Sequence, residues 1–281
     1  MRLRARLFHR LAAIAVLVAL TSFVANRALA AAAIDTIERV KHSIVAIGTF
    51  ERTRTPAFQF RGTAFAIGDG TTIVTNAHVL PVVVDSGSGE SLVILLPGAS
   101  ADSGSVREVK RVVVDRSVDL ALLRVTGSAL PALQLGDSDA VKEGQEILLT
   151  GFPIGAILGP HAATHRGMIA AITPIAIPQG RAADLEPAIV RRLTSGVFPV
   201  FQLDATAYPG NSGSPIYDPA TGHVLGIVNM VFVKGTKEAA LSQPSGITYA
   251  VPANHVAALL RSVSGEGAGK MKASANEAAR K

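Results

Sequence analysis

The chain has 281 residues, 48% of them hydrophobic, with no cysteine, no tryptophan and a formal charge of +6. That length is ample for one or two domains with a core, and the lack of cysteine excludes disulfides, thiolate nucleophiles and thiolate metal sites. The basic balance sits at the ends: residues 1–30 hold five Arg and no acid, residues 261–281 five basic and two acidic side chains, and residues 31–260 are left at −2, which excludes the broad basic face that nucleic-acid binding needs.

In chain order, the first element is a targeting segment. Arg2, Arg4, Arg6 and Arg10 precede an apolar run from Leu11 to Ala25, and Ala28-Leu29-Ala30 forms an A-x-A-like cleavage site. This predicts a secretory signal peptide over residues 1–30, cleaved after Ala30. The alternative is an uncleaved membrane anchor, but a spanning helix wants about 20 apolar residues, and Asn26-Arg27 cuts this run short. Export without cysteine fits a bacterial protein, periplasmic or secreted.

Ala31 to Lys41 reads as a short helix with Ile34, Ile37 and Val40 on one face, suited to docking on a barrel. Strand signals then dominate: short β-branched-rich runs bounded by Gly, Pro, Asp and Ser. They cover Ser43–Phe50, Thr63–Ile67, Thr72–Thr75, Ser91–Leu96, Val109–Asp115 and Leu120–Val125. Past a linker near Thr126–Val141 come Glu146–Gly151, Thr164–Ile175, Val200–Asp204, Ser214–Tyr217, Val224–Val233 and Gly246–Val251. Six and six predict an all-β fold of two closed antiparallel barrels, about 43–126 and 142–252, since closure removes free sheet edges. Ala253–Arg261 is an amphipathic closing helix, and residues 263–281 form a Gly-, Ala- and Lys-rich tail expected to be disordered.

Three segments carry chemistry. Val74-Thr75-Asn76-Ala77-His78-Val79-Leu80 supplies a histidine, Val118-Asp119-Leu120-Ala121-Leu122 an aspartate, and Gly210-Asn211-Ser212-Gly213-Ser214 a serine. His, Asp, Ser is one of the orders in which a catalytic triad is threaded through a fold. A serine hydroxyl needs a base within reach, and the base needs a group to orient it. His78 is the candidate base, Asp119 its orienting carboxylate and Ser212 the nucleophile. The N–H groups of Gly210, Asn211 and Ser212 form the candidate oxyanion hole, with glycine at 210 and 213 allowing positive φ and close backbone approach. Taken singly, Gly-Asn-Ser-Gly is also a good turn, His78 a core histidine and Asp119 a strand-start residue; the conjunction carries the reading.

These segments resemble the chymotrypsin-fold serine proteases of the HtrA/Deg type. Gly62-Thr63-Ala64-Phe65 followed by Thr75-Asn76-Ala77-His78 is similar to that family's His motif, Asp119-Leu120-Ala121-Leu122 to its Asp motif, and Asp204 through Gly213 to its Ser motif, with the Asp eight residues ahead of Ser212. The likeness runs from about Ile44 to Leu260. It implies a serine endopeptidase acting on unfolded or damaged polypeptides through an acyl-enzyme, with no metal or cofactor. Further copies of the chain, as a homo-oligomer, remain an open partner, and a membrane enters only with an uncleaved signal. Ser214 stands where many relatives have Gly, and the chain ends about twenty residues after the closing helix, which leaves no room for the PDZ domain usual in the family.

By motif position Thr206 would floor the substrate pocket with Ala207 and Tyr208 beside it, and Ile227, Val228 and Asn229 would face them. No carboxylate lies at that floor, so a small or medium apolar side chain is the expected preference. Two loops stand near the site: Thr53–Phe60, expected to extend over it, and the long connection Ile177–Pro199 with Arg181, Arg191 and Arg192, whose counterpart in the family shapes the oxyanion hole. The rival reading is a protease-like binding or chaperone module that this loop holds inactive. His161 and His165 stand four apart, a helical metal-ligand spacing, but Gly159-Pro160 and the β-branched run argue for a strand there.

A histidine base works only while its imidazole is neutral. Peptidase activity is therefore expected to fall below about pH 6; a rate flat from about pH 5 to about pH 8 would count against His78 as the base.

Overall fold

The computed structural model describes residues 32–81, 89–96, 106–155, 159, 161–174, 198–229 and 247–263. The signal segment, the tail and most of the 177–199 connection lie outside the described residues. Among those described, no helix is long and apolar enough to cross a membrane.

Helix α1 (residues 32–41) leads into β1 (Ile44–Phe50), β2 (Phe58–Ile67), β3 (Thr72–Asn76), β4 (Ser91–Leu95), β5 (Val106–Asp115) and β6 (Leu120–Val125). After the linker come β7 (Glu146–Gly151), β8 (Ala163–Pro174), β9 (Pro199–Asp204), β10 (Pro215–Tyr217), β11 (Val224–Asn229), β12 (Ile247–Pro252) and helix α2 (Asn254–Val263). Both sets close as six-stranded antiparallel barrels. The first runs β1-β2-β3-β6-β5-β4, the second β7-β8-β9-β12-β11-β10. Counting β7 as the first strand makes the two orders identical, a duplication that side-chain divergence hides in the sequence.

Each barrel is made of strands with alternating destinations, as the pleat requires. Val45, Ile47, Ala64, Ala66, Ile73, Ile94, Ala121 and Leu123 form a core drawn from the first barrel. Ile147, Leu149, Ile169, Phe201, Leu203, Ile216, Leu225 and Val228 form one drawn from the second. A third cluster joins the two: Ile44, Phe65, Val74 and Leu122 meet Leu148, Phe152, Tyr217 and Ile227, with Val40 of α1 and Val256 and Leu259 of α2. β1 bends at a register shift beside Gly48, where a Cβ would run into the Gln59 carbonyl.

The linker is bonded to both barrels. Leu133 N–H donates to Ala66 (2.8 Å), and Gly136 N–H to Val224 (2.8 Å). Ser138 and Asn254 exchange bonds, the Asn254 N–H donating to Ser138 Oγ (3.0 Å) and the Ser138 N–H to Asn254 Oδ1 (3.3 Å), which ties the linker to the start of α2. α1 docks on the far barrel: Arg39 donates to the Thr221 carbonyl (3.1 Å) and Thr36 to that of Ala220 (3.3 Å).

Tyr217 is fully buried, its hydroxyl 2.7 Å from Thr150 Oγ1, which in turn lies 2.8 Å from Thr164 Oγ1. Burial raises the phenol's pKa, so it stays a neutral hydrogen-bonding group. Tyr217→Phe is expected to cost about 1 kcal/mol in urea unfolding, the net value of one buried neutral bond; no loss of stability would mean that the hydroxyl chain contributes nothing.

Candidate active site

β3 ends at Asn76 and the chain tightens into a 3-10 turn, Ala77–Val79, with Asn76 in extended conformation before it. The turn breaks strand periodicity, burying Ala77 and Val79 while His78 stays part-exposed, its side chain 31% accessible. β6 pairs with β3 so that Leu120 lies opposite Asn76, which puts Asp119, the residue just ahead of β6, beside that turn. Asp119 has φ +57°, a left-handed conformation that Asp visits more readily than most non-glycine residues.

The bonds around Asp119 hold it there. Its carbonyl accepts from Ala77 N–H (3.1 Å) and Asn76 Nδ2 (3.1 Å). Its carboxylate Oδ1 accepts from the backbone N–H of His78 (2.9 Å), and Oδ2 lies 2.6 Å from His78 Nδ1. Asn229, at the end of β11, donates Nδ2 to the same Oδ2 at 2.7 Å. Asp119 and Asn229 are both buried. A carboxylate withdrawn from water needs compensating donors, and here they come from both barrels.

The serine segment reaches this place along β2. Ser212 is 7% exposed, and its carbonyl accepts from Thr63 N–H at 2.9 Å. At Gly62 a Cβ would lie 3.0 Å from both the Ser212 carbonyl oxygen and the Val79 methyls, so the serine backbone and the turn that carries His78 both close on this glycine. Gly213 has φ +87°, and a Cβ there would meet the Thr63 carbonyl. Glycine is the residue that fits.

The three candidate oxyanion donors differ. Asn211 N–H donates to the Tyr208 carbonyl (2.9 Å), which removes it from the set and leaves Gly210 and Ser212. The Pro209 carbonyl accepts from Ile154 N–H at 2.7 Å. In a trans peptide N–H points away from C=O, so this bond turns the Gly210 N–H to the opposite side of the chain.

The six pocket candidates do not share a wall. Ala207 and Val228 belong to the second-barrel core, and Ile227 to the cluster between the barrels. Asn229 is spent on Asp119. Thr206 is exposed and lines an open depression of about 350 Å3 with Glu146, Arg166, Met168 and Asp204. Tyr208 packs against His165, ring centres 6.3 Å apart. On β11 neighbouring side chains point to opposite faces, so the Val228 side chain enters the second-barrel core while those of Ile227 and Asn229 turn the other way. Residues 230–246 are outside the described set.

His165 sits on β8, not on a helix, and burial lowers its pKa, keeping it neutral. Among the described residues no group of three His, Asp or Glu side chains is placed to hold a metal ion. Of the Thr53–Phe60 loop, Phe60 does reach the site, edge-on to Phe152 (6.4 Å) and in the way of any Cβ at Gly210. Sequence reasoning placed Asn229 on a pocket wall; its side chain is instead bonded to Asp119, 110 residues away.

Residues 62–227 match the model of the trypsin-like peptidase domain. A probable periplasmic serine endoprotease, DegP-like, of Halomonas elongata is 32% identical over 194 residues, 68% of this chain and 32% of that protein. Its counterpart in Pseudomonas putida strain W619 is 29% identical over 194 residues, 69% of this chain and 33% of that one. The chain thus spans about a third of the length of these relatives. Among solved structures, the HtrA-type protease AlgW with a decapeptide superposes with a TM-score of 0.57 at 22% identity, covering 82% of this chain and 67% of that one. AlgW with a tripeptide gives 0.57 at 24% identity, covering 84% and 64%. With the family model covering well over half of its residues, the chain belongs to the trypsin-like peptidase domain family.

Proposed function

We propose that the chain is an exported serine endopeptidase that hydrolyses unfolded or damaged polypeptides, with His78, Asp119 and Ser212 as its triad. The observation that carries this reading is the 2.6 Å contact of His78 Nδ1 with an Asp119 carboxylate held by two further N–H donors. An acceptor at Nδ1 fixes the proton on that nitrogen. Nε2 is then left with its lone pair, the form that a general base requires.

On this reading Nε2 takes the Ser212 Oγ proton as Oγ attacks the scissile carbonyl carbon. The carbonyl oxygen gains a negative charge that the N–H groups of Gly210 and Ser212 receive. Collapse of the tetrahedral species breaks the C–N bond, and the imidazolium returns the proton to the leaving amine. Water, activated by the same nitrogen, then frees the acyl group and restores Ser212. Asp119 remains ionised and stabilises the imidazolium in both halves. Asn229 acts through Asp119: its donated N–H fixes the carboxylate plane, so it is a positioning residue.

The relatives' names support a periplasmic site of action, and the basic, apolar, Ala-x-Ala start supports export.

The decisive experiment compares the mature chain with Ser212→Ala for degradation of unfolded casein and for fluorophosphonate labelling. Cleavage and labelling in the wild type, both lost in the variant, are expected. A well-folded wild type that does neither would favour a protease-like binding module. Asn229→Ala is expected to lower kcat by about tenfold with KM within about twofold, the mark of an interaction that matters in the transition state; equal kcat would remove Asn229 from the machinery.

A further inference from the structure

Thr63, in the middle of β2, is fully buried and makes bonds that converge on the serine segment. Its N–H donates to the Ser212 carbonyl (2.9 Å). Its hydroxyl donates to the Gly210 carbonyl (2.8 Å) and accepts from the Phe152 N–H (3.1 Å). Its own carbonyl accepts from the Thr75 hydroxyl (2.8 Å). A hydroxyl has one proton, so its direction here is determined: the proton goes to Gly210 and a lone pair takes Phe152. Thr63 lies in the first barrel; the three groups that its N–H and hydroxyl hold, at 152, 210 and 212, belong to the second.

We infer that Thr63 is the positioning residue of the nucleophile loop, holding Ser212 and the Gly210 peptide at the distance and angle that His78 needs. The inference rests on the protease reading above. β2 pairs directly with β3, Phe65 opposite Val74, and β3 leads into the His78 turn, so Thr63 references the serine loop to the same sheet that carries the base. The hydroxyl governs two loops at once. Directly, it fixes the Gly210–Asn211 peptide, whose other edge is held by Asn211 N–H on Tyr208 (2.9 Å). Through Phe152 it fixes the segment that ends at Ile154, a β-branched residue at φ +51°. Such a conformation persists only where its surroundings over-determine it. Ile154 in turn holds the Pro209 carbonyl and with it the direction of the Gly210 N–H. Without the hydroxyl, the Gly210 carbonyl and the Phe152 N–H lose their partner at a buried site, and both loops are free to relax.

Thr63→Val keeps the shape and the backbone bond to Ser212 but deletes the hydroxyl; Thr63→Ser keeps the hydroxyl. Both are compared with the wild type in the full mature chain on an apolar-P1 peptide, with concentrations set by active-site titration and melting temperatures recorded alongside. The expected result is a kcat lower by about 30- to 100-fold in Thr63→Val with KM within about twofold, and recovery to within about threefold in Thr63→Ser. The fluorophosphonate labelling rate is expected to fall in parallel. A folded Thr63→Val with kcat within about threefold of wild type overturns the inference, as does a Thr63→Ser that falls as far as Thr63→Val. If Thr63→Val does not fold, Thr63→Ala against Thr63→Ser is read by the same criteria. A wild type that neither cleaves nor labels overturns the protease reading and this inference with it; a wild type that does both while Thr63→Val equals it overturns the inference alone.

Discussion

The site depends on the buried carboxylate of Asp119. Taken out of water, a lone carboxylate is costly, and the cost falls only if every lone pair finds a donor. The first barrel supplies the backbone and ring of His78, and the second supplies Asn229. The charge therefore lies on the contact between the barrels and is satisfied only when they are docked as observed. The same requirement sets the left-handed backbone at Asp119, since its carbonyl must reach Ala77 and Asn76 while its side chain reaches His78.

Packing and polar bonding divide the work. The apolar cluster between the barrels, with Phe65, Leu122, Phe152, Tyr217 and Ile227, brings them together without regard to direction. Direction comes from hydrogen bonds, which fail beyond a few tenths of an ångström. Glycine marks the places where these bonds demand close backbone approach, as at Gly213 against Thr63.

Much of this was legible in the sequence because it is local. Alternating apolar runs between turn residues gave twelve strands, and the observed strands differ mainly at their ends, as with β2, which starts at Phe58 rather than Thr63. His78, Asp119 and Ser212 stood out because each lies within a few residues of such a run. The pocket did not, since three consecutive residues were assigned to one wall where the pleat sends Val228 one way and Ile227 and Asn229 the other. The donor role of Asn229 was hidden because it joins residues 110 apart, a separation that no sequence period encodes. Asn211 was hidden for the opposite reason: a turn so short that its own N–H folds back on Tyr208.

The two helices have a consequence for how the molecule is held as a whole. α1 precedes the first barrel yet is bonded to the β10–β11 turn of the second, while α2 follows the second barrel yet packs on β5 and β6 of the first. Each end of the folded body is thus strapped across to the opposite half, and the linker is not the only covalently continuous segment that spans the two. Severing the chain between residues 127 and 132 would leave two fragments that still carry each other's helix. The halves behave as one mechanical unit, and opening the cleft would require peeling a helix from the barrel it did not come from.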